Sequence, residues 1–180
     1  MNILGVSAGF HDAAVSVVSP AGEILFAAHS ERYSKKKNDA DLCPGIVKEL
    51  YGMNIGTIAY YERPWRKQLR RLRSGEGIQG GSLPPGQCIR RELGRHYDTI
   101  AEGNVLDADH MLRGVNHISY NHHLSHAAAG FQTSPFDRAT VVVIDAIGES
   151  DTISIWAAEY DKQGRAQYRR LWSQQYPHSI

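Results

Sequence analysis

Three of the nine histidines in this chain of 180 residues lie within five positions, in the sequence NHHLSH at 121–126. His122 and His126 are four residues apart, and His123 and His126 are three apart, so either pair can share one face of a helix with Cβ atoms roughly 5 to 6 Å apart. That separation suits two imidazoles that bind one divalent ion. The alternative is a polar helix start after Asn121 in which the histidines form hydrogen bonds and nothing else.

A metal held by two imidazoles needs a further ligand, and Asp145 is the best carboxylate nearby in the sequence. It ends the apolar run VVVID, which is typical of a strand, and ligands collect where strands end at the junction of two lobes. Two histidines and one carboxylate suit Fe(II) or Zn(II), and the sequence does not choose between these ions. His122, His126 and Asp145 are therefore our candidate metal ligands.

Other polar segments offer further chemistry. His11, in the sequence GFHD, is a candidate general base because an imidazole exchanges protons near neutral pH; the alternative is a histidine on a surface turn. The run KKK at 35–37 could contact phosphate, and the segment 63–73, with five Arg and one Lys, could meet an anionic partner. For both runs a solvated charged face is the simpler interpretation.

Composition excludes several classes of protein. Twenty Lys and Arg against 19 Asp and Glu give a net charge of +1, so no overall field attracts nucleic acid or an anionic membrane. Cys43 and Cys88 are too few for a disulfide framework or a Cys-rich zinc site, and they fit a reducing cytoplasm. The N-terminus has no signal-like pattern and the apolar runs are only strand-sized, so we expect a cytoplasmic protein without a membrane segment.

Short β-branched runs and turn residues predict the elements that position these groups. The pattern predicts a meander of three strands at 2–8, 13–18 and 23–28, followed by a helix at 41–52 and a strand at 57–61. A basic helix at 64–73, a Gly/Pro-rich loop at 74–86 and a mostly helical segment at 87–114 come next. The chain continues with a strand at 115–120, the histidine helix at about 121–131 and a second set of strands from 139 onwards.

The chain contains an internal repeat. SAGFHDAAVSVV (7–18) aligns without a gap on DAIGESDTISIW (145–156), and in both copies a strand runs into a small Gly-containing turn and out into a second strand. Backbone N–H groups in such turns can point at phosphates. The second copy stops just after its third strand, at Ile180, and three strands cannot close a core. We therefore expect an N-terminal fragment of a longer protein.

Four segments, taken in order, resemble the N-terminal part of the O-carbamoyltransferases of the nodulation-factor and antibiotic-tailoring type: ILGVSAGFHDAAVSVV, HSERYSKKKND, NHHLSHAAAGFQTSPF and VVVIDAIGESDTISIW. The resemblance covers nearly the whole chain and is weakest between about 62 and 112. It implies an α/β protein with the actin-like ATPase (ribonuclease H-like) fold, shared with sugar kinases and with proteins that form threonylcarbamoyl-adenosine in tRNA. We accordingly expect a first lobe at 1–135, with a mixed sheet and flanking helices, and the first strands of a duplicated second lobe at 136–180.

The resemblance also implies a reaction in two stages. Carbamoyl phosphate and ATP, with Mg²⁺, give a carbamoyl-adenylate in a separate C-terminal domain of a different fold, which is expected to lie outside this chain. The carbamoyl group then passes to a hydroxyl of a small molecule, often a sugar, in the actin-like domain. The family's remaining metal carboxylate lies beyond Ile180, so the isolated chain is expected to have an incomplete metal site and no transferase activity.

The family's functional positions match single residues of this sequence. His122 and His126 match its iron-binding histidines, and Asp145 matches a carboxylate near metal and nucleotide, so iron is the expected metal. His11 matches the histidine expected to help deprotonate the acceptor hydroxyl. Asp12 matches a position near the acceptor.

The nucleotide or carbamoyl group is expected to meet Lys37, Asp145 and Gly148.

Two other functions remain open: an actin-fold kinase for a small molecule, which would not need the histidine cluster, and a relative that modifies tRNA. Near-neutral charge argues against nucleic acid, although the basic segment 63–73 keeps this alternative open. An unfinished sheet edge near 166–172 would favour pairing into a homodimer.

Overall fold

The computed structural model describes residues 1–9, 11–75 and 115–178. Its strands are β1 (Asn2–Ser7), β2 (Ala14–Val18), β3 (Ile24–His29), β4 (Ile55–Tyr60), β5 (Asn116–Ser119), β6 (Arg138–Gly148), β7 (Asp151–Tyr160) and β8 (Ala166–Gln175). Its helices are α1 (Ser30–Ser34), α2 (Pro44–Glu49), α3 (Pro64–Arg73) and α4 (His122–Gln132). The helical segment predicted at 87–114, Cys88 and most of the predicted loop 74–86 lie outside the described residues.

The first of two compact units comprises Met1–Tyr61 and Gln79–Ser119. Its sheet has five strands in the order β3-β2-β1-β4-β5. The first three strands pair antiparallel, as the predicted meander requires, whereas β4 pairs parallel with both β1 and β5. The structure thus confirms an α/β protein with a mixed sheet and flanking helices.

Alternating apolar residues of β1, β2 and β4 form the core of the first unit together with α2. The three residues predicted to share one face of that helix, Ile46, Val47 and Leu50, are all buried. The helix is shorter than the predicted 41–52. Pro44 occupies its first turn, where proline is favoured, and Gly52 adopts a φ of +79° that stops it from continuing.

The residues between β1 and β2, which include His11 and Asp12, are held by a neighbouring segment. The carbonyl of Asp39 accepts a hydrogen bond from the N–H of Ala13, and that of Ala40 accepts one from Gly9, each at 2.7 Å. These bonds satisfy backbone groups that no strand pairs. The segment after KKK therefore supports the first turn.

The second compact unit comprises Glu62–Ile78 and Tyr120–Ile180. Its sheet has the order β6-β7-β8, all antiparallel, and α4 packs on one face of it through a buried cluster of Ala127, Val143 and Trp156. Helix α4 belongs to this unit because its small residues pack on β6 and β7. The lobe boundary expected at 135 stays a prediction.

The two copies of the internal repeat both form antiparallel meanders, but their turns differ. In the second copy β6 continues to Gly148, and only Glu149 and Ser150 separate it from β7. Asp145 therefore lies within a strand and not at its end, although the pairing with β7 is interrupted between Ile144 and Gly148.

Across the described ranges, every helix falls short of the length and apolar character needed to cross a bilayer.

Candidate metal centre

Helix α4 begins at the histidine cluster because Asn121 caps it. The Asn121 side chain accepts a hydrogen bond from the N–H of Leu124 at 3.0 Å, which satisfies one of the unpaired donors at a helix start. His122 and His126 then follow one turn apart, with ring centroids separated by 4.8 Å. The predicted pair thus lies on one face of the first turn and a half.

The pleat of β6 presents Asp145 to this helix. Val141, Val143 and Asp145 alternate with the exposed Val142 and Ile144, and Val141 and Val143 pack in the cluster beneath α4. Because successive side chains of a strand point to opposite faces, Asp145 is on the helix side of the sheet. The sheet thereby supplies a carboxylate to the histidines.

The three candidate ligands converge. His122 Nε2 lies 2.9 Å from Asp145 Oδ2 and 3.0 Å from His126 Nε2, and the distance from His126 Nε2 to Asp145 Oδ2 is 3.9 Å. Ligand atoms about 2 Å from one ion at tetrahedral angles are about 3.4 Å apart, a value these separations bracket. Two imidazoles and a carboxylate also have the chemistry of a site for Fe(II) or Zn(II).

Solvent reaches one side of this cluster. The side chain of His122 is 13% exposed, that of Asp145 28% and that of His126 53%. Burial lowers the pKa of His126, and the neighbouring imidazole of His122 lowers it further against the opposing effect of Asp145. His126 is therefore held toward the neutral form that can bind a metal.

Glu62 is a functional candidate that sequence reasoning missed. Its buried carboxylate lies 3.5 Å from Nδ1 of His122 and 3.3 Å from Nζ of Lys67. Burial alone would raise the pKa of Glu62, but the contact with His122 and the charge of Lys67 together bring it below its ordinary value. A carboxylate at the second nitrogen of a ligating imidazole orients the ring and makes it a better donor. Sixty residues separate the two positions in sequence, and no local pattern connects them.

Glu149, also missed, lies beneath the start of α4. Its carboxylate accepts hydrogen bonds from the N–H groups of Arg63 and His122, at 2.8 and 3.2 Å, and from the Asn121 amide at 3.2 Å. Arg66 approaches the same carboxylate at 3.8 Å. Burial raises the pKa of Glu149 although these contacts oppose the shift. Its position in the turn DAIGESD was the only available signal.

Gly148 allows the histidine helix to approach β6. A Cβ atom at this position would lie 2.5 Å from Cδ2 of His122 and 2.6 Å from Cδ2 of His123. His123 is itself fully buried, and its Nδ1 lies 2.7 Å from the hydroxyl of Ser154, which also accepts a bond from Trp156 Nε1. His123 thus attaches the helix to β7, while His122 and His126 face the candidate centre.

The other predicted site residues belong to the first unit. His11 Nδ1 lies 2.7 Å from Asp12 Oδ2, and Lys37 is exposed in a turn. An ionised carboxylate can only accept a hydrogen bond, so Nδ1 carries the proton and Nε2 of a neutral His11 carries the lone pair. Asp12 also forms a group with His29 and Glu31 in which ligand atoms lie within 4.8 Å of one another.

Similarity to known proteins bears on this centre. A family profile described as "Carbamoyltransferase N-terminus" matches residues 91–180, half of the chain, and this range includes both histidines and Asp145. The chain belongs to that family. An uncharacterized protein of Synechocystis sp. is 29% identical over 192 residues, an alignment that spans 99% of this chain and 30% of that protein. The chain thus spans less than a third of the length of this relative.

Proposed function

We propose that the protein to which this chain belongs transfers a carbamoyl group to a hydroxyl of a small molecule. The observation that carries the proposal is the family match at 91–180, because it includes all three candidate metal ligands. We further infer that the carbamoyl group comes from carbamoyl phosphate through a carbamoyl-adenylate made with ATP and Mg²⁺, on an actin-like fold in the cytoplasm. Nodulation factors and antibiotics are the acceptor types that the resemblance suggests.

His122, His126 and Asp145 would hold the metal, for which we propose Fe(II), with Zn(II) as the alternative. A divalent ion bound there would supply positive charge to the phosphate oxygens of the nucleotide. Two carboxylates near the site position its ligands. Glu62 orients the ring of His122, and Glu149 with Asn121 fixes the first turn of α4.

His11 would act as the general base. In our proposal its Nε2 takes the proton of the acceptor hydroxyl as that oxygen bonds to the carbamoyl carbon; the bond from this carbon to the adenylate oxygen breaks, and AMP leaves with the electron pair. Asp12 holds the ring by its contact at 2.7 Å, and in our proposal it would lie near the acceptor. Lys37, Asp145 and Gly148 are the proposed contacts of the nucleotide or carbamoyl group.

The test is a transfer assay on the full-length protein with ATP, carbamoyl phosphate labelled in the carbamoyl carbon, and a panel of hydroxylated acceptors. We expect His11→Ala to lower the transfer rate by about 10²-fold or more while the bound metal is retained. We expect His122→Ala to lose both the metal and the transfer rate. Metal content is measured by elemental analysis of each variant.

His178→Ala is the matched control, because His178 is exposed in the same unit as His122 and lies outside the candidate cluster. It should leave rate and metal unchanged. Transfer at the wild-type rate by both His11→Ala and His122→Ala would show that the site assignment is wrong. Failure of the wild-type protein to transfer carbamoyl to any acceptor would count against the function itself.

A further inference from the structure

An open groove of about 640 Å³ lies in the second unit, and it shares none of its lining residues with the candidate metal centre. One wall is the basic helix α3; the other is the turn after β6 and the end of β8. The lining residues are Trp65, Arg66, Leu69, Arg70, Arg73, Ser74, Ser150, Gln175, Tyr176 and Pro177. Ligand pockets commonly have volumes of about 300 to 1,000 Å³, so this groove has the size of a small-molecule site.

Positive charge concentrates along this groove. Segment 63–73 holds six of the chain's twenty Lys and Arg and none of its 19 Asp and Glu. The rest of the chain therefore has fourteen Lys and Arg against 19 Asp and Glu, so it is net acidic while the segment is basic. Three of the six guanidinium or ammonium groups, on Arg66, Arg70 and Arg73, belong to lining residues. Among the described residues that line the groove, none is acidic. The groove therefore favours an anion.

Two aromatic rings accompany the arginines. The guanidinium carbon of Arg66 lies 5.3 Å from the ring centroid of Trp65, and that of Arg70 lies 5.5 Å from the ring of Tyr176. Both distances are within the range of cation–π attraction, which limits the rotamers of long side chains. Both rings are also more than a third exposed, so they offer faces on which a planar group can stack.

The wall opposite α3 is held by hydrogen bonds. The buried carboxylate of Asp151 accepts bonds from Arg170 and from the amide of Gln175, each at 3.2 Å. The N–H of Tyr176 donates to the carbonyl of Ser150 at 3.0 Å. The polar groups on this side are therefore already ordered, which reduces the entropy lost when a ligand binds.

We propose that this groove binds a phosphorylated small molecule of nucleotide size. Guanidinium groups match phosphate oxygens in charge and in planar, two-pronged geometry. Trp65 and Tyr176 would contact the ring system that carries the phosphate. None of the described residues that line the groove is among the nucleotide contacts of the proposed transfer reaction, which are Lys37, Asp145 and Gly148.

Calorimetric titration of the full chain tests the proposal with inorganic phosphate, AMP, ATP, adenosine and a single-stranded RNA. We expect AMP and ATP to bind saturably with a Kd below about 1 mM, and adenosine to bind more weakly than AMP. Arg73→Gln should weaken AMP binding about tenfold, since it removes one charge-assisted contact. Tyr176→Leu should weaken AMP more than inorganic phosphate.

Arg71→Gln is the matched control, because Arg71 lies on α3 but outside the groove lining; it should change AMP affinity less than twofold. Equal losses in Arg71→Gln and Arg73→Gln would mean a diffuse field and overturn the proposal. Saturable binding of RNA alone, or of no phosphorylated compound, would overturn it too. We expect AMP binding to survive His122→Ala; its loss would assign the bound nucleotide to the metal centre and overturn the proposal. Thermal unfolding verifies that each variant folds.

Discussion

At the scale of single residues, Gly148 determines how closely the histidine helix approaches the sheet. Its backbone leaves no room for a side chain, since a Cβ atom would come within 2.5 to 2.6 Å of two imidazole rings. The ring of His123 has no room to move aside, because it is fully buried and lies 2.7 Å from the hydroxyl of Ser154. The absence of a side chain at this position is thus a condition for the geometry of the cluster.

Gly148→Ala should therefore displace His122 and His123 together. We expect a loss of about 1 to 3 kcal/mol in the free energy of unfolding, the usual cost of an added methyl group in a packed site, and weaker metal binding. Chemical denaturation and metal analysis measure these two effects.

Gly130→Ala provides a control in the same unit, because a Cβ atom there meets nothing within 4 Å. Within helix α4 alanine should stabilise by about 0.5 to 1 kcal/mol relative to glycine. If Gly148→Ala were as stable as Gly130→Ala, the rings would have more freedom than the structure indicates.

The carboxylate of Asp39 makes the first unit sensitive to acid. A hydrogen bond from Ser34 lowers the pKa of Asp39 below its ordinary value of 3.8, against the opposing effect of burial. The N–H of Asp41 and the ammonium group of Lys36 contribute further, each at 3.4 Å from Oδ1. A pKa that is lower in the folded state stabilises the fold at pH values above the unfolded pKa.

Asp39→Asn should lower the melting temperature at pH 7, with a loss of about 1 kcal/mol if one hydrogen bond is removed. The difference from wild type should shrink as the pH falls from about 5 to below 3.8, because the native carboxylate is then protonated as well. Glu49→Gln, which changes an exposed carboxyl group in the same unit, is the control variant and should change the free energy of unfolding at pH 7 by less than about 0.5 kcal/mol. A constant difference at every pH would show that charge on Asp39 is irrelevant.

At this scale the sequence identified the residues whose spacing is local. His122 and His126 follow from a helical interval, and Asp145 from its place in an apolar run; the structure brings all three together, while the bound metal stays a prediction. Glu62 and Glu149 could not be found in this way. Their positions depend on tertiary contacts that connect residues 60 and 27 positions apart from His122.

At the scale of secondary-structure elements, the centre depends on how α4 begins. Asn121 is buried, and its side chain has two partners among the described residues: it accepts from the N–H of Leu124 and donates from its amide to Glu149 at 3.2 Å. The same carboxylate accepts the N–H of His122. One short network thus satisfies the helix start and fixes the direction in which the first histidine points.

Asn121→Ala should destabilise the protein by about 1 to 2 kcal/mol in urea unfolding, since it removes a cap and a bond to a buried carboxylate. Asn121→Ser retains a capping oxygen but cannot donate to Glu149 in the same geometry, so it should recover only part of the loss. Full recovery by Asn121→Ser would mean that the contact with Glu149 is energetically silent.

Elements with strong periodicity agree with their predictions, and elements that depend on distant contacts do not. The strands and α3 were predicted to within a few residues. Helix α1, of five residues, was not predicted, because an isolated helix of that length cannot form without tertiary support. That support comes from Ser30, whose hydroxyl donates to the carbonyl of Asp41 and accepts from the N–H of Cys43.

At the scale of the whole molecule, the repeat was visible in the sequence, whereas the compact units of the structure depend on contacts between distant residues. Alternating apolar residues reveal two similar meanders, whereas the unit to which a helix belongs depends on the surface it packs against. The net charge of +1 likewise concealed an uneven distribution. From the sequence, the basic helix α3 was interpreted as a solvated face; in the structure it forms one wall of a groove.

The alternation along β6 also restricts how this protein can change over evolution. Val143 pairs with Ser154, and two residues later Asp145 faces the same side as Val143. Insertion or loss of a single residue between them would turn the carboxylate to the opposite face of the sheet, away from both histidines. A change of two residues, or a β-bulge that takes up the extra residue, would preserve its direction. Within regular pairing the segment is therefore subject to a rule of parity: a lineage that keeps the centre changes its length there by even steps.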